Sequence, residues 1–317
     1  MTKARLNVTC RPARAEDTPE VMELTSTIWE GEDYVPHVWQ DWLADTHGVL
    51  AVAEYGGHVL GLGKLTRLAA GGSGTASGSS AASGSRTAGQ WWLEGLRTHP
   101  EYEGRGVATH LHTYLVDAWL RKGGGTLRLA TASFRKAVQH LCDQTGFIKV
   151  GEFSPYHAAS QPGNGQNFTA LEESQAGPAL ENLRTSPTLA LCSGLIDLGW
   201  EWCTPLPNHL VESARQGKAF WWRTDQGLII WREDQDDESG EALMHLKALA
   251  CQVEDLAVLL SDCRHLADGL GYQSLKWTAP LQPAATDALE KAGYVRSWDA
   301  SVYIYAREHP SQTQQQS

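Results

Sequence analysis

The chain has 317 residues, 42% of them hydrophobic and 20% charged, with 26 Lys and Arg against 37 Asp and Glu for a net charge of -11. That length and composition exclude a chain disordered throughout and leave room for two domains. The acidic balance argues against a nucleic-acid partner or an anionic membrane surface, and it is uneven: residues 1–155 carry 15 basic and 16 acidic side chains, the remainder 11 and 21.

In chain order, Leu6 to Pro12 alternates like a short strand, and Asp17 stands where a residue would cap a helix running to about Thr27. A second short helix is expected from Pro36 to Leu43. Gly48 to Glu54 and Val59 to Leu68 are apolar runs around the turn residues Tyr55-Gly56-Gly57-His58, a hairpin signal. Residues 71–89 are almost wholly Gly, Ser, Ala and Thr and read as a flexible loop, because strand-like sequence resumes at once with Gln90 to Thr98. A helix follows, with apolar positions Val107, Ala108, Leu111, Leu115 and Ala118, ended by Gly123-Gly124-Gly125. Leu127 to Thr131 is a strand, Arg135 to Gln144 a helix, and Gly146 to Val150 turns back into a strand.

Residues 155–187, rich in Pro, Gly, Asn, Gln and Ser, read as a boundary. Beyond it the order repeats in weaker form: a strand near Leu189 to Trp200, a helix near Asn208 to Gln216, a hairpin of Ala219 to Arg223 with Leu228 to Arg232, and a strand-helix stretch from Leu243 to Leu270. Leu289-Glu290-Lys291-Ala292-Gly293-Tyr294 echoes Leu141-Cys142-Asp143-Gln144-Thr145-Gly146-Phe147, and this shared helix-Gly-aromatic unit points to a duplicated fold. Six scattered cysteines without a C-x-x-C pair read as thiols of a reducing compartment. Charges run through Met1 to Pro19, and no stretch approaches the roughly 20 apolar residues of a membrane span, so the expected location is cytoplasmic.

The most informative segment is Trp92 to Ala108. A strand runs out, Pro100 prevents its continuation, and Glu103-Gly104-Arg105-Gly106-Val107-Ala108 delivers the chain into a helix whose first N–H groups and positive dipole end can cradle an anion. A Walker loop is excluded by the missing Gly-Lys-Ser/Thr, and a dinucleotide fingerprint would follow the first strand. The strand-Pro-x-x-x-Gly-x-Gly-x-Ala-helix order resembles the acetyl-coenzyme A (acetyl-CoA) loop of the GNAT superfamily of N-acetyltransferases. Gly31-Glu32-Asp33-Tyr34-Val35-Pro36, followed by Trp42-Leu43, is similar to the G-x-D-Y-x-P segment of the histidine N-acetyltransferase-like two-domain group, and Glu94-Gly95-Leu96-Arg97 to its E-G-L-R stretch. The strong motifs cover roughly residues 28–150.

The resemblance implies an α/β (α+β) fold of tandem GNAT-like units, each a mixed central sheet flanked by helices, the second copy degenerate. The expected division is an acetyltransferase domain over 1–154, a linker over 155–187, a degenerate copy over 188–309 and a polar tail over 310–317. Leu96, Arg97 and Thr98, with Gly104, Arg105, Gly106, Val107 and Ala108, become the coenzyme contacts. Glu94 is either the general base or an ordinary salt-bridge partner of Arg97 or Arg128. Cys142 stands where many relatives have a Tyr that protonates the departing thiolate; it is either that acid or core, and Tyr156 is the other acid candidate. Asp33 and Tyr34 are either the acceptor site or a helix cap with a packed ring. Glu103 departs from the wider pattern, because a carboxylate beside a pyrophosphate repels it unless it turns to solvent or pairs with Arg105.

His110 and His112 lie two apart on a helix and face different ways, so no metal is expected. The run Glu233 to Glu238 reads as a solvated turn. In the second half Cys251-Gln252-Val253-Glu254-Asp255-Leu256 takes the place of the phosphate loop, and its job is to pack beside the first half, wall the acceptor cleft, or both. The implied activity is acetyl transfer from acetyl-CoA to the amine of a small molecule, an amino acid such as histidine, by direct attack in a ternary complex. The alternatives are a non-catalytic acyl-CoA sensor or interaction module, and a protein N-terminal or lysine acetyltransferase.

Overall fold

The computed structural model describes residues 4–26, 28–68, 89–122, 124–236 and 239–310. The Gly/Ser-rich stretch 71–89 and the polar tail 310–317 therefore lie, but for Gly89 and Pro310, outside the described residues. The first half runs β1 (Thr9–Pro12), α1 (Thr18–Thr25), α2 (Val35–Ala44), β2 (Val49–Tyr55), β3 (His58–Leu68), β4 (Gln90–Thr98), α3 (Val107–Lys122), β5 (Thr126–Ala132), α4 (Lys136–Gln144) and β6 (Ile148–Ala159). The second runs β7 (Phe168–Ala170), α5 (Ala176–Thr185), α6 (Pro187–Leu191), β8 (Ile196–Asp197), β9 (Trp202–Cys203), α7 (Pro207–Arg215), β10 (Ala219–Trp222), β11 (Gly227–Gln235), β12 (Ala242–Ala250), α8 (Leu256–Gly269), β13 (Ser274–Pro280), α9 (Pro283–Lys291), β14 (Val295–Arg296) and β15 (Val302–Glu308).

The period-two alternation of a strand sorts the first-half core into two layers. Leu50 and Val52 of β2 pack with Val21 and Leu24 of α1 and Trp39 and Trp42 of α2. Ala51 and Ala53, on the opposite face of β2, pack with Leu111, Leu115 and Trp119 of α3. Helices thus cover both faces, and the strands are apolar on both. Gly61 of β3 lets α3 lie close, since a Cβ there would stand 2.6 Å from the Arg97 carbonyl and about 3 Å from Leu111.

The described strands form one 13-stranded mixed sheet in the order β1-β2-β3-β4-β5-β15-β6-β13-β12-β11-β10-β7, with β14 also pairing β6, while β8 and β9 make a separate hairpin. The parallel pairs, β4 with β5 and β12 with β13, occupy corresponding places in the two halves. The last strand of the chain does not stay with its own half. Tyr305 of β15 sits opposite Leu129 of β5 on one side and Lys149 of β6 on the other. Further along β6, Tyr156 faces Trp277 of β13. Each half is completed by a strand that the sequence attaches to the other.

The expected echo between the halves is a shared helix ending. Phe147 N donates to Cys142 O at 3.0 Å and Tyr294 N to Leu289 O at 2.9 Å, across glycines with φ of +76° and +77°. Both are the six-to-one closure of a Schellman motif, and both aromatic rings are buried.

Two expectations are corrected. Residues 155–187 are not a linker: they hold the end of β6, β7, α5 and the start of α6. Their polar composition masks core positions Tyr156, Leu171, Ala179 and Leu183, all buried. Leu189 to Trp200 is not a strand, because Pro187 starts α6 with the Ser186 hydroxyl accepting from Thr188 N, and only Ile196–Asp197 is extended. No helix among the described residues is long and apolar enough to cross a membrane.

Candidate active site

β4 is interrupted where the site begins. Leu62 of β3 pairs with Arg97 and Lys64 pairs with Glu94, so Gly95 and Leu96 together oppose the single residue Gly63. This is a β-bulge, which leaves backbone groups free of the ladder and re-aims the strand. Gly95 makes it possible: its φ is +63°, and a Cβ would meet the Trp42 ring at 2.5 Å. On its other side β4 pairs with β5 only over Gln90–Trp92 against Thr126–Arg128. Beyond that point the two parallel strands part, and a gap opens beside Leu93 to Thr98.

The segment after β4 closes the end of the gap. His99 Nδ1 accepts from Glu101 N, and the chain turns through Gly104 and Gly106, with φ of +74° and +91°, into α3. A Cβ on Gly104 would meet nothing within 4 Å, so the loop backbone faces open space. Its glycines and the unsatisfied first-turn N–H groups of α3 suit a pyrophosphate. Arg105 is anchored, its Nε donating to Ala4 O at 3.3 Å and its guanidinium lying 5.6 Å from the Tyr102 ring. Glu103 is exposed, the solvent-facing arrangement that spares the loop its charge.

Glu94 lies immediately before the bulge and accepts from Thr66 Oγ1 at 2.5 Å. Burial raises its pKa above the ordinary value, and the Asp45 charge adds to the rise, whereas the Thr66 hydroxyl, Lys64 and Arg97 oppose it. Neither expected salt-bridge partner takes it. Arg97 is bidentate to Asp33, with Nε and the second terminal nitrogen each 2.9 Å from a carboxylate oxygen, and Arg128 donates to Gln90 Oε1 at 3.0 Å. Lys64, almost fully buried, pairs with Asp45.

Asp33 corrects an expectation. Its carboxylate is fully buried, gripped by Arg97 and, from the position before the α2 cap Tyr34, accepting from Val35 N at 3.2 Å, so it is engaged within the fold rather than open to an acceptor. Tyr34 is 37% exposed, with its ring 6.0 Å from Trp42 and 5.3 Å from the Arg97 guanidinium and a backbone hydrogen bond from Gly95. The Gly31–Pro36 and Glu94–Arg97 motifs are therefore two sides of one device: Asp33 grips Arg97 after the bulge, and Tyr34 and Trp42 pack on Gly95 within it.

Of the two candidate acids, Cys142 takes the core alternative: it is fully buried, and burial pushes its thiol up to about 12. Tyr156 is buried on the part of β6 that pairs with β13 and β14, where it lines a cleft with Pro283, Glu290 and Arg296, and it does not join Glu94.

Sequence reasoning missed the far wall of the gap. It comes from the second half, but not from residues 251–256, which are held inside that half by Ser186 and Thr188 hydroxyls donating to Cys251 O. The wall is the β8–β9 hairpin. Thr204 N donates to Gln90 Oε1 at 2.8 Å, Gln90 Nε2 returns to Thr204 O at 3.1 Å, and the Trp202 and Trp92 rings lie 6.2 Å apart. Glu201, in this hairpin, has its pKa raised to about 8 by burial and by the charges of Glu94 and Asp197. An acid between two tryptophans was the sole local hint.

The gap thus brings together a bulged strand parting from a parallel neighbour, a glycine loop leading into a helix and the half-buried Glu94 carboxylate. Residues 18–147, the segment that holds the bulge and the glycine loop, match the acetyltransferase (GNAT) family, whose members use acetyl-CoA as acyl donor. Solved structures of the same fold span nearly the whole chain. A GCN5-related N-acetyltransferase from Sphaerobacter thermophilus is 12% identical over 96% of this chain and 97% of its own, with TM-score 0.58. One from Kribbella flavida is 12% identical over 96% and 73%, with TM-score 0.54. A tandem GNAT protein from the clavulanic acid biosynthesis pathway is 10% identical over 96% and 99%, with TM-score 0.51. No curated protein sequence matches the chain significantly. Among the described residues, no group of three or more His, Cys, Asp or Glu side chains could hold a metal ion.

Proposed function

We propose that the protein transfers the acetyl group of acetyl-CoA to the amine of a small molecule, with Glu94 as general base. The resemblance of Gly31–Pro36 and Glu94–Arg97 to the histidine N-acetyltransferase-like group makes an amino acid such as histidine the first acceptor to try. The observation that carries the reading is Glu94 placed immediately before the β4 bulge, its pKa raised by burial into better match with an ammonium. Gly104 to Ala108 would hold the pyrophosphate and the backbone of Leu96, Arg97 and Thr98 the pantetheine arm; acetyl-CoA supplies the activated acyl carbon. Glu94 removes one proton from the acceptor ammonium, the freed nitrogen bonds to that carbon, and the carbon–sulfur bond breaks. The second nitrogen proton neutralises the departing thiolate, so no dedicated acid is required, which suits a protein whose Cys142 is part of the core. Of the two bulge residues, Gly95 already gives its N–H to Tyr34, so the Leu96 N–H is the one assigned to the developing oxyanion.

Amine-dependent release of CoA, read across a panel of amino acids and simple amines, tests the activity. Glu94→Gln is expected to lose at least 100-fold in kcat while binding acetyl-CoA as the parent does; full activity would remove Glu94 from its role. Acetyl-CoA binding without CoA release by any amine would mark a binding module instead.

A further inference from the structure

The β8–β9 hairpin does more than fill space. Side chains of Gln90, Trp92 and Glu94 share one face of β4 by strand periodicity, and the hairpin lies on that face in a fixed register. Thr204 meets Gln90 through two hydrogen bonds and Trp202 meets Trp92 ring to ring. Glu201, just before Trp202, lies close enough to feel the Glu94 charge, and the Trp200 ring stands edge-on to Trp202 at 6.0 Å.

The tip is built rather than loose. The buried Asp197 carboxylate accepts from Gly199 N at 2.7 Å and Trp200 N at 2.8 Å, and Leu198 N donates to Glu201 O at 2.8 Å. Behind it, His245 Nε2 of β12 lies 3.2 Å from Asp197. This frame holds Trp200 at φ +65°, unusual for a bulky residue, with half of its surface exposed. Among the described residues no side chain donates to the Glu201 carboxylate, although it is partly buried. An exposed aromatic face and an unpartnered carboxylate thus stand side by side on the hairpin, with the Glu94 carboxylate within electrostatic reach of Glu201.

We propose that this hairpin is the acceptor-binding element of the transferase, and that Trp200 and Glu201 take the ammonium of a small primary amine and present it to Glu94. The proposal rests on the acetyltransferase reading and deepens it, placing acceptor selection in the second half. Tryptophan is the strongest cation–π partner, and a cation between two carboxylates relieves their mutual repulsion. The repulsion is evident in Glu201, which Glu94 of β4 and Asp197 of its own hairpin both push toward the neutral form; Cys203 of β9 is the other titratable neighbour.

Calorimetric titration of the parent protein with a panel of amines and amino acids, with no acyl donor present, tests this apart from turnover. A primary amine should bind, releasing protons near pH 7 as Glu201 ionises, and repeating the titration in buffers of different ionisation enthalpy reads that release. Glu201→Gln should weaken the amine at least 10-fold and abolish most of the proton release, and Trp200→Gly, suited to the positive φ, should weaken it at least 5-fold. Acetyl-CoA affinity and thermal unfolding at pH 5 should stay near parental values in both variants. Equal amine affinity and equal proton release in parent and variants would overturn the proposal, as would the absence of any amine binding. Failure of the acetyltransferase reading looks different: no CoA release from the parent, whatever the amine titrations give.

Discussion

Glu94 and Glu201 differ in how their environments are balanced. Glu94 has a hydroxyl donor and nearby cations that temper the cost of burial, while Glu201 has burial and two like charges that nothing among the described residues offsets. Below the unfolded-chain value of 4.5 Glu201 is neutral in both states and costs the fold little. Because its folded-state pKa is raised to about 8, ionisation penalises the folded protein progressively as pH climbs toward that value. Glu201→Gln cannot ionise. Its stability relative to the parent should therefore grow between pH 5 and pH 8, reaching about 3 kcal/mol in denaturant unfolding; a pH-independent difference would contradict this placement of Glu201. The carboxylate pair was half legible. Glu94 stood out because an acid on an apolar strand demands a partner, but nothing within a few residues of Glu201 could reveal an acid more than one hundred positions away.

At the scale of elements, the bulge in β4 organises the site, and the segment leading into α2 holds it in place. Asp33 and Arg97 form a buried bidentate pair, so removing the carboxylate takes both charge-assisted hydrogen bonds from a guanidinium that is largely out of water. Asp33→Ala is expected to cost about 3 kcal/mol in denaturant unfolding and to weaken acetyl-CoA binding, because the bulge it anchors presents the backbone of Leu96 to Thr98. A variant of unchanged stability and affinity would show that the bulge is held by Gly95 and Trp42 alone. The Gly-loop and the helix behind it were readable from sequence, since phosphate cradles depend on local backbone geometry. The bulge was not: a residue mismatch between neighbouring strands is a property of their pairing and appears in neither strand alone.

For the whole molecule, the exchanged strands matter most. β15 fills the place between β5 and β6, and without it β5 would lose the partner that Val302 to Glu308 supply. An isolated fragment of residues 1–154, which composition marks as a self-sufficient domain, should therefore fail to fold cooperatively, with a broad thermal transition and a tendency to aggregate through the bared edge. A sharp, reversible transition for that fragment would show that the halves fold independently. Tying the halves through the sheet also fixes the hairpin above β4, because the second half cannot swing away without breaking the β6 and β15 pairings.

The sequence by itself determined what depends on neighbours along the chain: the hydrophobic alternation of β2 to β4, the glycine loop feeding α3, the repeated helix-Gly-aromatic ending and the carboxylate at Glu94. Tertiary structure alone decided the rest. It turned Asp33 from an acceptor ligand into the anchor of Arg97, buried Cys142 and separated Tyr156 from the site, made strands and helices of residues 155–187, and brought the hairpin that carries Trp200 and Glu201 to the gap. The reason is physical. Local backbone preferences and periodicity are written within a few residues, whereas ion pairing, burial and strand exchange depend on which distant segments share one sheet.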